Sequence, residues 1–494
     1  MVKKTIRVAP NSNITWSLAR SGFITQSGEI PNVLTSEEVQ AFLVSGNGKY
    51  VCSNDTTWYL TVGGDLYGSG RGGGGQQGDG KKTDVNIFTL RASNVRDVVC
   101  SLNTTWYITN SGDLYGTGVN TYGQQGSGNT TVVTTFTKRA SEVKTVVCSD
   151  NTTWYITDNG DLYGCGSNDR GQQGSGNTTN ITTFTMRASN VKDVVCCNYT
   201  TWYITNSGDL YGCGLNIRYQ QGSGNTTDVK TFTQRASGVK KAGCNTDTTW
   251  YLTNSGDLYG VGSNGNGQQG NGNTTNVSAF SPRASDVKDF VCTDYTTWYL
   301  TNSGDLYGCG YNTYGQQGDG TTNKVTTFTM RASNVKNFAC SGYTSWYVTN
   351  NGDLYGTGYN TYGQQGDGTT TDVKSFTYKI SGVKTVVCSD YTTWYAMNNG
   401  DMYGCGSNGY GQQGDGTTTD VKEFGKRAEG LVGLTANLTI IPTPLDAVVT
   451  IDGDNVSIKE VLQGKLVEYS VSKDGASKEG NIRIYEDTTL DISL

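Results

Sequence analysis

The chain has 494 residues, of which 68 are glycine and only 16% are charged, against about 7% glycine and about 25% charged residues in ordinary globular proteins. That mix favours turns and strands over long helices. The 37 basic and 43 acidic residues leave a net charge of −6, and no Lys/Arg block marks a nucleic-acid or anionic-membrane surface. The complete absence of histidine excludes imidazole bases, Ser-His-Asp and Cys-His nucleophile pairs and His-ligated metals.

In chain order, the start at Met1 lacks the apolar core of a signal peptide, and no run of about 18 apolar residues follows, so membrane insertion is not expected. Thr35 and Glu38 ahead of Val39 form a capping-box pattern opening a short helix, and residues 11–28 read as irregular or strand. Residues 1–37 are expected to form an N-terminal arm, a candidate docking segment.

A strict repeat then begins. Trp58, Trp106, Trp154, Trp202, Trp250, Trp298, Trp346 and Trp394 are each 48 residues apart, as are Cys52, Cys100, Cys148, Cys196, Cys244, Cys292, Cys340 and Cys388, so eight units cover 52–435. Within one unit, the β-branched and aromatic run Thr296 to Thr301 is followed by a turn at Asn302 to Asp305 and an extended Leu306-Tyr307, which predicts a hairpin. Two further extended pieces near Val325 to Met330 and Val335 to Cys340 give four short strands per unit, the arithmetic of a propeller blade. Such a sheet cannot bury both faces alone, so blades must stack and the ring must close. The expected fold is all-β, with a propeller over 38–436 of eight repeats and seven blades as the alternative. Gly48 to Cys52 and a degraded copy at Gly430 to Ala436 both qualify as the closing strand, and the choice between the two ends stays open.

Residues 437–494 alternate apolar and polar side chains between turn signals, which predicts a small β-sandwich.

The string V-x-x-V-V-C-S-x-x-T-T-W-Y-I-T-x-x-G-D-L-Y-G-x-G-x-N-x-Y-G-Q-Q-G-x-G resembles the repeat of the regulator of chromosome condensation family over residues 52–435. It departs from that repeat in carrying Thr-Thr-Trp-Tyr in the strand, Gln for Leu in the turn, and residues such as Cys309-Gly310 for Trp-Gly. The resemblance implies a β-propeller, in a family that is usually seven-bladed. Its members include exchange factors for small GTPases, a secreted inhibitor of β-lactamases and many bacterial binding scaffolds. The exchange factors work through an inserted wedge, for which the strict spacing leaves no room. The C-terminal segment is similar to PEGA-type and immunoglobulin-like modules of bacterial surface and phage structural proteins.

Positions identical in every unit serve the blade, and positions that vary are free for a partner. The turn aspartates (Asp65, Asp113 and their equivalents) are expected to bond the turn backbone. The Gln pairs, such as Gln124-Gln125 and Gln316-Gln317, are expected to satisfy turn backbone groups. The thirteen cysteines read as buried thiols too far apart across blades for disulfides, and Cys196-Cys197 carries no assigned chemistry. Variation concentrates in two places. Sixteen residues after each Trp come Gly74, Tyr122, Arg170, Arg218, Asn266, Tyr314, Tyr362 and Tyr410. Three residues before it come Asp55, Asn103, Asn151, Tyr199, Asp247, Tyr295, Tyr343 and Tyr391. Tyr and Arg are the side chains of binding hot spots. The candidate partner-binding residues are therefore Tyr122, Arg170, Arg218, Tyr314, Tyr362, Tyr410, Tyr199, Tyr295, Tyr343 and Tyr391, with Tyr219, which replaces a loop glycine in one copy. No catalytic, cofactor or metal residue is expected. The expected role is a non-catalytic structural and adhesive module of a phage virion or bacterial surface, binding protein or surface glycan and not nucleic acid. The alternative is a cytoplasmic or secreted regulator or inhibitor that caps a partner protein.

Overall fold

The computed structural model describes residues 48–61 and 63–428 and, beyond them, seven strands of the terminal regions. The arm sequence 11–28 and the capping box at Thr35 lie outside the described residues. Each 48-residue unit folds as one antiparallel sheet whose four strands follow sequence order. In blade 1 these are Gly48–Cys52, Thr56–Thr61, Leu66–Gly70 and Val85–Ala92; in blade 8 they are Val383–Cys388, Thr392–Met397, Met402–Gly406 and Val421–Ala428. The eight sheets make an eight-bladed propeller. The first strands of neighbouring blades approach one another and are therefore innermost, while the fourth strands carry half-buried and exposed residues along their length.

The hairpin forms where the sequence changes from β-branched residues to Gly-Asp. In blade 2, Gly112 takes φ 83 and donates to Thr109 O at 3.0 Å, a conformation open to glycine without steric cost. Both faces of the second strand are covered: Trp106 is 0% and Tyr107 7% exposed. Trp106 packs edge-on against Phe184 of the next blade, with ring centroids 5.9 Å apart at 74°. Burying about 200 Å² of indole contributes roughly 5 kcal/mol before entropy is subtracted, which makes these eight contacts the main apolar glue between blades. Gly116 lies under the indole, where an added Cβ would sit 2.3 Å from Trp106 Cζ3.

The ring shuts between blade 8 and blade 1. Trp394 meets Phe88 at 6.3 Å and 71°, Gly416 N donates to Asn86 O at 2.7 Å, and Gln412 Nε2 donates to Asn54 O at 3.2 Å. Tyr50, Cys52, Val387, Trp394, Ala396 and Met402 form one buried cluster across this junction. These contacts repeat the other seven junctions, and no strand is exchanged. Of the two ends the sequence offered, Gly48–Cys52 completes a blade. Thr435–Thr443 instead pairs with Ile458–Leu462 and, in parallel, with Thr488–Ser493, beside which lies Lys4–Val8. Val448–Ile451, Leu466–Lys473 and Ala476–Arg483 form a separate three-stranded sheet.

Candidate functional site

Two kinds of connection share one face of the ring: the short turn from first to second strand and the long loop from third to fourth strand. Their common position follows from the ladder, in which the start of the second strand pairs with the end of the third, as Thr296 with Gly310. The long loop is built from its own amides. In blade 6, Asn312 Oδ1 accepts from Gln317 N at 2.8 Å, and Asn312 Nδ2 donates to Asp319 Oδ1 at 3.0 Å and Thr321 O at 3.2 Å. Gln317 Nε2 donates to Cys309 O at 2.9 Å. Gln316 Oε1 accepts from Tyr314 N at 3.1 Å, while its Nε2 crosses to Gly342 O of blade 7 at 3.0 Å. The second Gln thus satisfies its own blade, as expected, and the first is also a tie between blades. A loop with this many internal bonds presents its side chains at low entropic cost.

On this scaffold the tyrosines of blades 6 to 8 merge. Tyr295 stacks on Tyr343 at 6.0 Å and 20° and touches Tyr311 at 5.7 Å. Tyr314 lies 5.4 Å from Tyr343 and 4.7 Å from Tyr359. Tyr359 continues to Tyr362 at 6.2 Å, and Tyr362 to Tyr391 at 5.2 Å. Burial, followed by the nearby Asp390 carboxylate, holds the Tyr343 and Tyr391 phenols above their ordinary range. Burial does the same for Tyr314. All three therefore remain neutral hydroxyls at physiological pH, able to donate and accept. The patch offers ring faces and edges with hydroxyls at their rims, suited to stacking on a sugar ring or covering an apolar protein anchor.

The other candidates lie elsewhere on the ring. Arg71 Cζ sits 5.3 Å over the Tyr410 ring and Arg71 also pairs with Asp55 at 3.1 Å, bridging blades 8 and 1. In blades 3 and 4 Arg170 faces Asp228 at 3.6 Å. Burial raises the Asp247 carboxyl and the Arg218 charge opposes it. Tyr122, 40% exposed, Tyr199 and Tyr219 make no ring contact among the described residues; Tyr219 holds φ 69 at a position where its equivalents are glycine. Tyr-rich and Arg/Asp sectors thus divide a rim that the sequence offered as one mixed ring. Tyr311 and Tyr359 escaped the sequence reading because the equivalent residues are Arg71, Val119, Ser167, Leu215, Ser263 and Ser407. The usable signal was their place in the same loop, three residues before Tyr314 and Tyr362.

The invariant groups are committed to the fold. In blades 1, 2, 4 and 7 the turn aspartate accepts from a serine at the corner after the fourth strand, as in Ser141 Oγ to Asp113 Oδ1 at 2.9 Å. The carboxylate therefore ties the hairpin to that corner, where the sequence suggested its own turn backbone. All thirteen cysteines are buried free thiols. Cys165, Cys213, Cys309 and Cys405 each donate to a Gln carbonyl of the preceding blade at 3.3 Å. Cys197 occupies the turn position held by serine in blades 1, 2, 3, 7 and 8, with Sγ 2.8 Å from Thr200 Oγ1.

Residues 143–172, 287–316 and 383–412 match the model of the regulator of chromosome condensation (RCC1) repeat. Three of the eight units are thus similar to RCC1 repeats. Each matched segment runs from the innermost strand through the hairpin to the Gln pair, so it contains the Trp, the turn Asp and the amide-built start of the loop. No curated protein matches the chain. Among solved structures, human WBSCR16 is similar at 18% identity, with 62% of this chain and 88% of that one covered and a TM-score of 0.51. Prp20p from Saccharomyces cerevisiae, described with its binding to Gsp1p and histones, is similar at 17% identity, 67% and 91% coverage and a TM-score of 0.52. These likenesses show a shared propeller fold.

Proposed function

We propose that this RCC1-repeat propeller is a non-catalytic binding module that engages a protein or surface glycan through the tyrosine patch of blades 6 to 8. The contiguity of that patch is the observation that carries the reading: rings from three blades meet edge and face on rigid loops, where single exposed tyrosines would be unremarkable. A non-catalytic role is supported by the use of the repeated carboxylates, amides and thiols within the fold. The setting we propose is a phage virion or bacterial surface. There, residues 437–494 would form the sandwich expected from their alternation and serve with residues 1–37 as the attachment side. The rival reading, a regulator capping a partner protein, draws on Prp20p, whose described partners are Gsp1p and histones.

The test is titration of the labelled full chain onto bacterial cells and onto their purified surface polysaccharide. Saturable binding is expected, weakened at least about tenfold, or about 1.4 kcal/mol, in Tyr314→Ala and Tyr359→Ala and unchanged in Tyr122→Ala. Equal binding by the patch variants would overturn the reading. Absence of cell binding together with a discrete soluble complex with one protein would establish the regulator instead.

A further inference from the structure

At one position of the fourth strand every blade carries a cation, and only half of the blades answer it with an anion. The strand bulges there: Tyr115 pairs with Lys138 and Leu114 with Ala140, so Arg139 drops out of the ladder. Arg187, Arg235 and Arg283 do the same in blades 3 to 5. A bulged residue is re-aimed, and in blades 1, 6, 7 and 8 this one reaches an aspartate of the long loop, two residues after the Gln pair. Arg91 meets Asp79 at 3.4 Å, Arg331 meets Asp319 at 3.6 Å, Lys379 meets Asp367 at 3.7 Å and Arg427 meets Asp415 at 3.2 Å. In blades 2 to 5 the arginine stays, but the loop residue is Ser127, Ser175, Ser223 or Asn271.

The two kinds of blade differ by one oxygen. Asp319 Oδ1 accepts from Asn312 Nδ2 at 3.0 Å, and its Oδ2 meets Arg331. Ser127 Oγ takes over the first role, accepting from Asn120 Nδ2 at 3.0 Å, and Ser175, Ser223 and Asn271 do likewise at 3.0, 2.8 and 2.9 Å. The second role passes to no side chain: among the described residues, Arg139, Arg187, Arg235 and Arg283 have no ion-pair partner, and their Nε atoms, with Nη2 of Arg187 and Arg283, are buried and unbonded. Arg331 is unbonded at the same two atoms, so the carboxylate alone separates the two groups of blades. Other acids nearby are engaged elsewhere. The turn aspartates lie at the hairpin end, where Asp113 holds Lys138 and Ser141 and Asp209 holds Gln234 and Ser237. Asp169 and Asp228, the acids of these four loops, bond Gln172 and Asn216 and face Arg170. Across the blade boundary Ser127, Ser175 and Asn271 meet Thr183, Thr231 and Thr327, and burial keeps the thiols of Cys165, Cys213 and Cys309 beside the arginines neutral.

We propose that blades 2 to 5 each bind a small monovalent anion of chloride's class beside Arg139, Arg187, Arg235 and Arg283, where the other four blades place an aspartate carboxylate. A guanidinium drawn out of water without a counter-charge is costly, and a mobile anion supplies what the loop side chain no longer does. The charge to be met is one per blade, and the buried nitrogens leave room for an ion that sheds its water readily, which a polyvalent phosphate does not. These sites lie between blades and are independent of what the tyrosine patch binds.

Chloride-35 NMR of the full chain tests it, with gluconate, an anion too bulky for the site, holding the ionic strength constant. The parent should broaden the chloride line saturably. In the Ser127→Asp, Ser175→Asp, Ser223→Asp, Asn271→Asp quadruple variant the broadening should fall at least about fourfold, because each new carboxylate recreates the pairing of Asp319 with Arg331. Thr130→Asp adds the same charge at an exposed position of the blade 2 loop and should leave the broadening unchanged. Exchanging gluconate for chloride should raise the melting temperature of the parent by roughly 2 °C and leave that of the quadruple variant unmoved. Circular dichroism checks that the variant folds. If it does not, Ser127→Asp and Ser175→Asp replace it as single variants, each removing about a quarter of the broadening. No broadening by the parent, undiminished broadening or an undiminished chloride response in the new-carboxylate variants, or an equal loss in Thr130→Asp would overturn the proposal.

Discussion

At the scale of single residues, the glycines separate into those that make room and those that only permit a backbone angle. At Gly164 an added Cβ would lie 2.4 Å from Trp154 Cζ3, whereas Gly416, at φ 84, has nothing within 4 Å. Gly164→Ala should cost about 3 kcal/mol through overpacking and Gly416→Ala about 1 kcal/mol through backbone strain alone, as read by urea denaturation. Gln316→Leu strips Tyr314 N and Gly342 O of their partners and should cost about 2 kcal/mol. It should also weaken any ligand of the tyrosine patch, since the Tyr314 loop loses its tie to blade 7. The carboxyls of Asp319, Asp367 and Asp415 add a pH dependence. Burial pushes their pKa up, but hydrogen bonds from Thr321, Thr369 and Thr417, together with those from Asn312, Asn360 and Asn408 and the charges of Arg331, Lys379 and Arg427, outweigh it and leave each below the ordinary 3.8. Groups depressed in this way stabilise the fold above about pH 4 and lose that contribution as pH falls through their folded values. The urea midpoint should therefore drop between about pH 4 and pH 2, less so in Asp415→Asn. Trp, Cys and the Gln pairs were legible in the sequence because repetition exposes them. Tyr311 and Tyr359 were not, because a position that is serine or leucine in other blades carries no periodic signal.

At the scale of the blade, the hairpin and the four-strand count could be read from alternation and turn residues. The identity of the closing strand could not, since both ends of the repeat carry a trace of it. The deciding contacts are between residues more than 300 apart, as Trp394 with Phe88 and Asp390 N to Asn54 Oδ1, and only the assembled ring brings them together. Because the blade 8 to blade 1 junction reproduces the others, Phe88→Ala and Phe232→Ala should destabilise by similar amounts, about 3 to 4 kcal/mol each. A clearly smaller loss at Phe88 in equilibrium unfolding would show the junction to be a weak seam. Truncation before Val383 removes blade 8 and uncovers Trp346 on one side and Tyr50 on the other. Size-exclusion chromatography with light scattering should then report dimers or aggregates in place of a monomer.

At the scale of the whole molecule, composition says nothing about placement. A net charge of −6 without any basic block gives no hint that Arg96 and its six lysine equivalents put one cation near the start of the innermost strand in each of seven blades. A window that slides along the chain cannot register partners 48 residues apart. The tyrosine patch arises in the same way, with rings from three units that touch only after closure. Repetition made the architecture readable, and small departures from it, decided by neighbours in space, set what each face presents.

Since every blade is woven from one uninterrupted stretch of polypeptide, the place where the backbone begins is arbitrary as far as the circle is concerned. Relocating the ends to the corner between Ala284 and Val287 and joining the old ones by a linker would leave every hydrogen-bonded ladder intact. Recombination between near-identical gene segments could likewise add or drop a whole petal in frame, changing the girth of the wheel without leaving any strand widowed.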